Sequence, residues 1–228
     1  MAGVLYAIPT PLGGTAADAL PGAALSTVGS LRHFVVENAK SARAFLKEAG
    51  LNLQALEIRE IDKHPLKELL QPIRDEQSIG LLSEAGCPAI ADPGAALIEA
   101  AHGEGIRVVP LVGPSSIVLA LMASGLEGQR FAFCGYLPRE SEARGKRIKE
   151  LEARSRRERE TQIFIETPYR NDVLLAALLG TCHPQTMLCL ASDLTLKTEE
   201  VRTKTVTGWR ALRHTIGKRS TVFLLLSG

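Results

Sequence analysis

The sequence predicts an α/β protein of two α/β domains, the first around a mostly parallel sheet and the second around a mixed one. Three observations lead there. Short β-branched or aromatic runs recur along all 228 residues. Helix-like segments separate the early runs, and the later runs follow one another more closely. Each run has strand length: VLYAI (4–8), HFVVE (33–37), SIGLL (78–82), IRVVPLV (106–112), RFAFCGY (130–136), TQIFIE (161–166), MLCLA (187–191) and TVFLLL (221–226). Between the first of these lie AKSARAFLKEAG, PLKELLQPIRDE, GAALIEAAHGEG and SSIVLALMASG. Strand and helix in alternation mean a parallel sheet with helices on both faces. The polar stretch EGQR (127–130) divides residues 1–128 from 129–228. Beyond it, ASDLTLKTEEVRTKTVTG alternates in the manner of an antiparallel pair.

Apolar residues make up 45% of the chain, enough to cover a folded core. A net charge of +2 gives the molecule no strong overall field for nucleic acid or membrane, so a basic site must be local. The N-terminal MAGVLYAIPTPLGG lacks a basic region before an apolar core and is broken at Pro9 and Pro11, which argues against a signal peptide. No apolar run reaches the roughly 18 residues of a membrane span. A cytoplasmic protein is expected, with Cys87, Cys134, Cys182 and Cys189 reduced and unpaired, since they lack CxxC spacing. The five histidines are scattered without ligand spacing, so no metal is expected.

From Arg139 to Glu160 the chain carries nine basic and six acidic side chains, with Ile148 and Leu151 as the only large aliphatics. That composition suits a solvated helix laced by pairs such as Glu150 with Arg154. It also suits a phosphate-contacting arm around Arg154, Arg156, Arg157 and Arg159. Both readings stay open.

Ligands of a parallel sheet sit beyond the carboxyl ends of its strands. Three loops expected there are unusual: PTPLGG (9–14), SEAGCPAIADPG (83–94) and GPSS (113–116). Their prolines and small side chains suggest a rigid, largely uncharged wall of main chain, suited to a flat heterocycle and its sugar. Neither GxGxxG after the first strand nor GxxxxGK[ST] is present, so dinucleotide and P-loop signatures are missing.

These loops, with VVPLVGPSSIVLALMASGL, FCGYLPRE, IFIETPYR and ASDLTLKTEEVRTKTVTG in that order, resemble the tetrapyrrole methylase superfamily, class III S-adenosylmethionine-dependent methyltransferases. Nearest is the 16S ribosomal RNA ribose 2′-O-methyltransferase I branch. The resemblance spans nearly the whole chain. It implies a homodimer of two α/β domains, the first bearing cofactor loops and the substrate side, the second completing a cofactor cleft between them. S-adenosylmethionine would be held by Pro9, Pro11, Leu12, Gly86, Cys87, Pro88, Ala89, Ile90, Ser115 and Ser116. Glu166, Leu194, Thr195 and Thr221 match from the second domain. The departures are local. Where the branch has Ala-Glu-Asp-Thr-Arg, this chain has Val36, Glu37, Asn38, Ala39 and Lys40. SDAGTPGISDPG becomes SEAGCPAIADPG, and ESPHR becomes ETPYR with Tyr169 in place of His. The C-terminal extension common in the branch is not expected, the sequence ending on its last strand run.

Methyl transfer is chiefly alignment in a dry cleft, but a ribose hydroxyl acceptor must also lose a proton. Glu37 and Lys40 are the first candidates for that step, Glu84 and Arg170 the next. Three readings follow: methylation of ribosomal RNA, methylation of a small molecule such as a tetrapyrrole, or cofactor binding without turnover.

Overall fold

The computed structural model describes residues 3–228. The chain forms two compact units, Met1–Ser115 and Ser116–Gly228. The division falls before the polar EGQR stretch because the helix ahead of that stretch packs on the second sheet.

In the first unit the order is β1 (Val4–Ile8), α1 (Ala16–Ala19), α2 (Gly22–Ser30), β2 (His33–Val36), α3 (Ala39–Glu48), β3 (Glu57–Glu60), α4 (Leu66–Leu69), α5 (Gln71–Arg74), β4 (Ile79–Leu82), α6 (Gly94–Gly103) and β5 (Arg107–Pro110). The strands align as β3-β2-β4-β1-β5, all parallel. Because side chains alternate along a strand, the central strands β1, β2 and β4 each feed two cores. Ile8, Phe34, Val36 and Leu82 pack with Ala24, Val28, Phe45 and Leu46 of α2 and α3. Leu5, Val35, Ile79 and Leu81 pack on the opposite face with Leu69, Ile73 and Leu97. The expected two-sided cover is thus present.

Two local readings are corrected. PLKELLQPIRDE does not make one helix: it breaks into the single turns α4 and α5, with Pro72 in the first turn of α5. A proline lacks the N–H that a continuous helix would use there and is tolerated only near a helix start. Strand β3, EIRE, was not anticipated, being four residues long, largely polar and paired on one side by β2 alone.

The second unit runs α7 (Ser116–Ser124), β6 (Phe131–Tyr136), α8 (Ser141–Glu158), β7 (Thr161–Ile165), α9 (Asn171–Thr181), β8 (Met187–Ser192), β9 (Glu200–Thr205), α10 (Val206–Leu212) and β10 (Thr221–Leu226). Its order is β6-β7-β10-β8-β9. Only β6 and β7 are parallel, so the sheet is mixed as expected, and β9 pairs antiparallel with β8. One face buries Phe164, Leu190 and Phe223 against Ile148 and Leu151 of α8, Leu174 and Leu178 of α9 and Trp209 of α10. Helix α7 covers β8, β9 and β10, anchored by Thr203 Oγ1 donating to the Ser124 carbonyl at 2.6 Å.

The charged segment is helix α8, capped by Glu140, whose Oε2 accepts from Glu142 N at 2.8 Å. Its buried face is Arg144, Ile148, Leu151 and Ser155. On the wet side Arg147 pairs with Glu150 at 3.2 Å, Arg154 with Glu160 at 2.8 Å and Arg157 with Glu158 at 2.7 Å. The anticipated Glu150–Arg154 pair is not the one formed: each partner is taken by a different neighbour.

Trp209 is 1% exposed and donates from Nε1 to the Leu188 carbonyl at 2.7 Å, joining α10 to β8. Trp209→Ala is expected to lower stability by about 3–5 kcal/mol, the range for deleting a buried large aromatic. Urea unfolding followed by far-ultraviolet circular dichroism checks this, and a loss under about 1 kcal/mol would contradict it.

Candidate active site

All strands of the first sheet point the same way, so the segments after β2, β4, β1 and β5 emerge side by side at its carboxyl edge. From β1 the chain crosses to β2 over the α2–α3 face, and from β4 it crosses to β5 over the α6 face. Adjacent strands β1 and β4 therefore send their connections to opposite faces. That is the topological switch point, where α/β sheets bind ligands.

The four segments are stitched into one rim. Glu37, directly after β2, accepts on Oε2 from Glu84 N at 3.1 Å. Thr10, after β1, exchanges both main-chain hydrogen bonds with Gly86, after β4, at 2.9 and 3.0 Å. Ser83 Oγ donates to the Gly86 carbonyl at 2.9 Å, and Thr10 Oγ1 to the Ser83 carbonyl at 3.4 Å. Cys87 Sγ donates to the Pro114 carbonyl, beyond β5, at 3.4 Å. Gly113 is obligatory here, since a Cβ on it would lie 2.4 Å from Pro9 Cβ. Gly86, at φ +79°, takes a backbone angle that other residues rarely adopt.

Further along the same loop Ala89 and Ala91 both sit at φ +65°. Such angles are strained in alanine and persist only where the surroundings fix them. Asp92 braces the segment: its Oδ1 accepts from Ala89 N at 2.8 Å and Gly94 N at 2.7 Å, on either side of Ala91. Its Oδ2 is buried with no hydrogen-bond partner among the described residues. Burial pushes the Asp92 carboxyl above its ordinary value, with those two N–H groups opposing. Burial likewise raises Glu37; the Glu84 N–H opposes, and the Asp92, Glu84 and Asp62 carboxylates reinforce the shift.

The sequence-derived candidates of this unit thus gather at one edge. Pro9, Gly86 and Pro88 are buried, Pro11, Leu12, Cys87 and Ala89 half-buried, and Ile90 is 48% exposed at the loop tip. Burial pushes the Cys87 thiol up, which keeps it a neutral donor. Asn38 caps α3, accepting from Lys40 N at 2.9 Å and Ser41 N at 3.3 Å, so the amide retains a cap that a carboxylate would also make. Lys40 and Glu84 have exposed side chains. Ser115 ends the first unit, and Ser116 opens α7 in the second. Thr10, Ser83, Asp92 and Gly113 were not singled out from sequence. Only the quoted loops containing them pointed their way.

In the second unit, Glu166 follows β7 with its side chain 1% exposed. Its Oε1 accepts from Thr167 N at 2.8 Å. Its Oε2 lies 3.2 Å from Arg170 Nη2, yet outside hydrogen-bonding geometry and with no other partner among the described residues. After β8, Asp193 and Thr195 take positive φ around the buried Leu194, and Thr195 N donates to Glu199 Oε2 at 2.7 Å. That turn is pinned by Arg219, whose Nε donates to Asp193 Oδ2 at 2.7 Å and Nη1 to Glu200 Oε2 at 2.9 Å. Burial alone would raise Asp193, but Arg219 and Thr198 outweigh it and hold its carboxyl below the ordinary value. Thr221 and Ser192 share a 2.8 Å hydroxyl contact in the sheet.

All four cysteines are unpaired, and burial pushes Cys182 up to about 12. No group of metal-ligating side chains is found among the described residues. No helix there is long and apolar enough to cross a membrane.

Over 200 residues, 87% of this chain and 68% of the relative, the sequence is 32% identical to ribosomal RNA small subunit methyltransferase I of Escherichia coli O157:H7. The chain belongs to the ribosomal RNA small subunit methyltransferase I family. The Mesorhizobium japonicum member is 34% identical over 89% of this chain and 67% of its own length. The Buchnera aphidicola member is 28% identical over 99% and 76%. No family model matches the chain. Among solved structures, the methyltransferase CobJ aligns with a TM-score of 0.66 at 16% identity, covering 99% of this chain and 95% of its own. Uroporphyrin-III-C-methyltransferase from Thermus thermophilus gives 0.58 at 20% identity, over 99% and 93%. These two likenesses show that the methyltransferase I family member has the tetrapyrrole methylase fold.

The raised carboxyl of Glu37 fixes a sign. The folded state keeps its proton to higher pH than the unfolded chain, so its contribution to stability falls as pH rises from the ordinary carboxylate value through the folded value, and is fully unfavourable above it. Glu37→Gln can still accept from Glu84 N. Its stability relative to the parent is therefore expected to improve between pH 4 and pH 7 in urea melts at each pH. A difference that is flat, or that moves the other way, would contradict the assignment.

Proposed function

We propose that this chain transfers a methyl group from S-adenosylmethionine to a ribose 2′-hydroxyl of ribosomal RNA. Membership of the methyltransferase I family carries the reading, and the stitched loop rim at the switch point supports it. The rim fits such a cofactor chemically. An adenosine needs N–H and C=O groups at close approach, and loops 9–14, 83–94 and 113–116 offer main chain behind small side chains. The orphaned, buried Asp92 oxygen lies at the same edge, where a sulfonium's positive charge would meet it favourably. When bound, the cofactor would supply an electrophilic methyl carbon.

The residues of the chain do the rest. Pro9, Pro11, Leu12, Gly86, Cys87, Pro88, Ala89 and Ile90, with Ser115 and Ser116, hold and orient the nucleoside. Glu166, Leu194, Thr195 and Thr221 are the second unit's own candidates for holding the cofactor. Glu37 takes the proton from the acceptor hydroxyl: a carboxylate whose affinity for protons is raised by burial is a better base than an exposed one. Lys40 is the cation that would ease loss of that proton, with Glu84 and Arg170 the next candidates for base and cation. Lys146, Lys149 and Arg159 on or beside α8 add positive charge for the RNA backbone. The protein works in the cytoplasm as a homodimer, and the 75% exposed Met122 of α7 supports the dimer.

A tritiated-methyl assay against 16S ribosomal RNA and a metabolite extract tests the reading. Label is expected in the RNA alone, and label only in the extract, or in neither, would overturn it. Glu37→Gln is expected to lower turnover about a hundredfold or more while cofactor affinity by calorimetry is unchanged. Unchanged turnover would remove Glu37 from the proton transfer.

A further inference from the structure

Tyr169 stands 78% exposed in the single helical turn Pro168–Arg170, immediately after β7 and Glu166. A phenol ring left so far in water forgoes its burial energy, so its partners matter. Lys218 holds its Nζ 5.0 Å from the ring centroid, within cation–π range.

The pair is fixed from beneath. Pro168 stiffens the turn, and Arg170 N closes it by donating to the Thr167 carbonyl at 2.9 Å. Asn171 has no exposed surface, and its Nδ2 donates to the Gly217 carbonyl at 3.1 Å and the Arg219 carbonyl at 2.7 Å, on either side of Lys218. Asp172 Oδ1 accepts from Ile216 N at 2.7 Å. Two side chains at the start of α9 thus strap segment 216–219 against the turn that carries Tyr169. The result is an aromatic face and an ammonium presented together on rigid backbone.

We propose that Tyr169 and Lys218 form a stacking platform for an unpaired RNA base and its phosphate. Single-stranded RNA is gripped by such pairs, the ring stacking on a base and the cation neutralising the adjoining phosphodiester. The proposal rests on the ribosomal RNA reading above and names the surface by which that substrate is held.

The test uses the full chain, 16S ribosomal RNA and a labelled single-stranded oligoribonucleotide. Tyr169→Ala is expected to weaken RNA affinity about tenfold or more, while Tyr169→Trp retains it and has its indole emission quenched by the oligonucleotide. The native Trp209 is buried and serves as a silent background. Lys218→Ala is expected to reduce the slope of log affinity against log salt by about one. Cofactor affinity is expected to stay at the parental value in every variant, and circular dichroism to show each one folded.

Parental RNA affinity in Tyr169→Ala, with the parent binding and methylating RNA, would overturn the platform alone. So would a variant that loses cofactor affinity, or changes oligomeric state, with RNA affinity intact. A parent that neither binds nor methylates RNA would overturn the platform and the underlying function together.

Discussion

The two main-chain hydrogen bonds between Thr10 and Gly86 are the constraint on which the first unit's site depends. They span the carboxyl ends of β1 and β4, the two strands whose connections part company. Each such bond contributes only about 0.5–1.5 kcal/mol net, but together they set the register of two loops that would otherwise move independently. Once they are made, the Ser83 hydroxyl, the Cys87 thiol and the Glu37 carboxylate find partners in a fixed order along the edge. The strained alanines at 89 and 91 are sustained by the same rigidity, since Asp92 can hold them only if the loop ends are already anchored.

Along this edge the three loops present mostly main chain and small side chains. Main-chain groups held in place need no reorganisation on binding and bring no countercharge of their own. Two of the carboxyl groups that do lie there, Glu37 and Asp92, are raised by burial, with opposing N–H groups that do not fully compensate. In the second unit ion pairs take a larger part. Asp193 and Glu200 are both ion-paired to Arg219, so charge reinforces the main-chain hydrogen bonds from Asp193 N to the Ser220 carbonyl and from Leu196 N to the Asp193 carbonyl in the turn after β8.

Much of this was legible in the residues, and the gaps have physical causes. The buried strands could be read because hydrophobic runs of strand length have few alternative uses, and the three small-residue loops because turns do not need so many prolines and glycines. Strand β3 was hidden: EIRE has no apolar alternation, and its place comes from pairing with β2. The break at Pro72 is masked in the sequence by an otherwise periodic helical pattern on either side of it. Asn38 looked like a loss when compared with a carboxylate, whereas in the structure its amide oxygen caps α3. Arg219 and Asp172 organise loops far away in sequence, a role that composition cannot signal.

Amide hydrogen exchange of the full chain, with and without S-adenosylmethionine, bears most directly on the idea of a preformed main-chain rim. The account predicts slow exchange at Thr10 and Gly86 before ligand is added, and further slowing across 9–14, 83–94 and 113–116 at saturation. Rapid exchange at Thr10 and Gly86 in the free protein, or saturation that leaves all three loops unchanged, would contradict it.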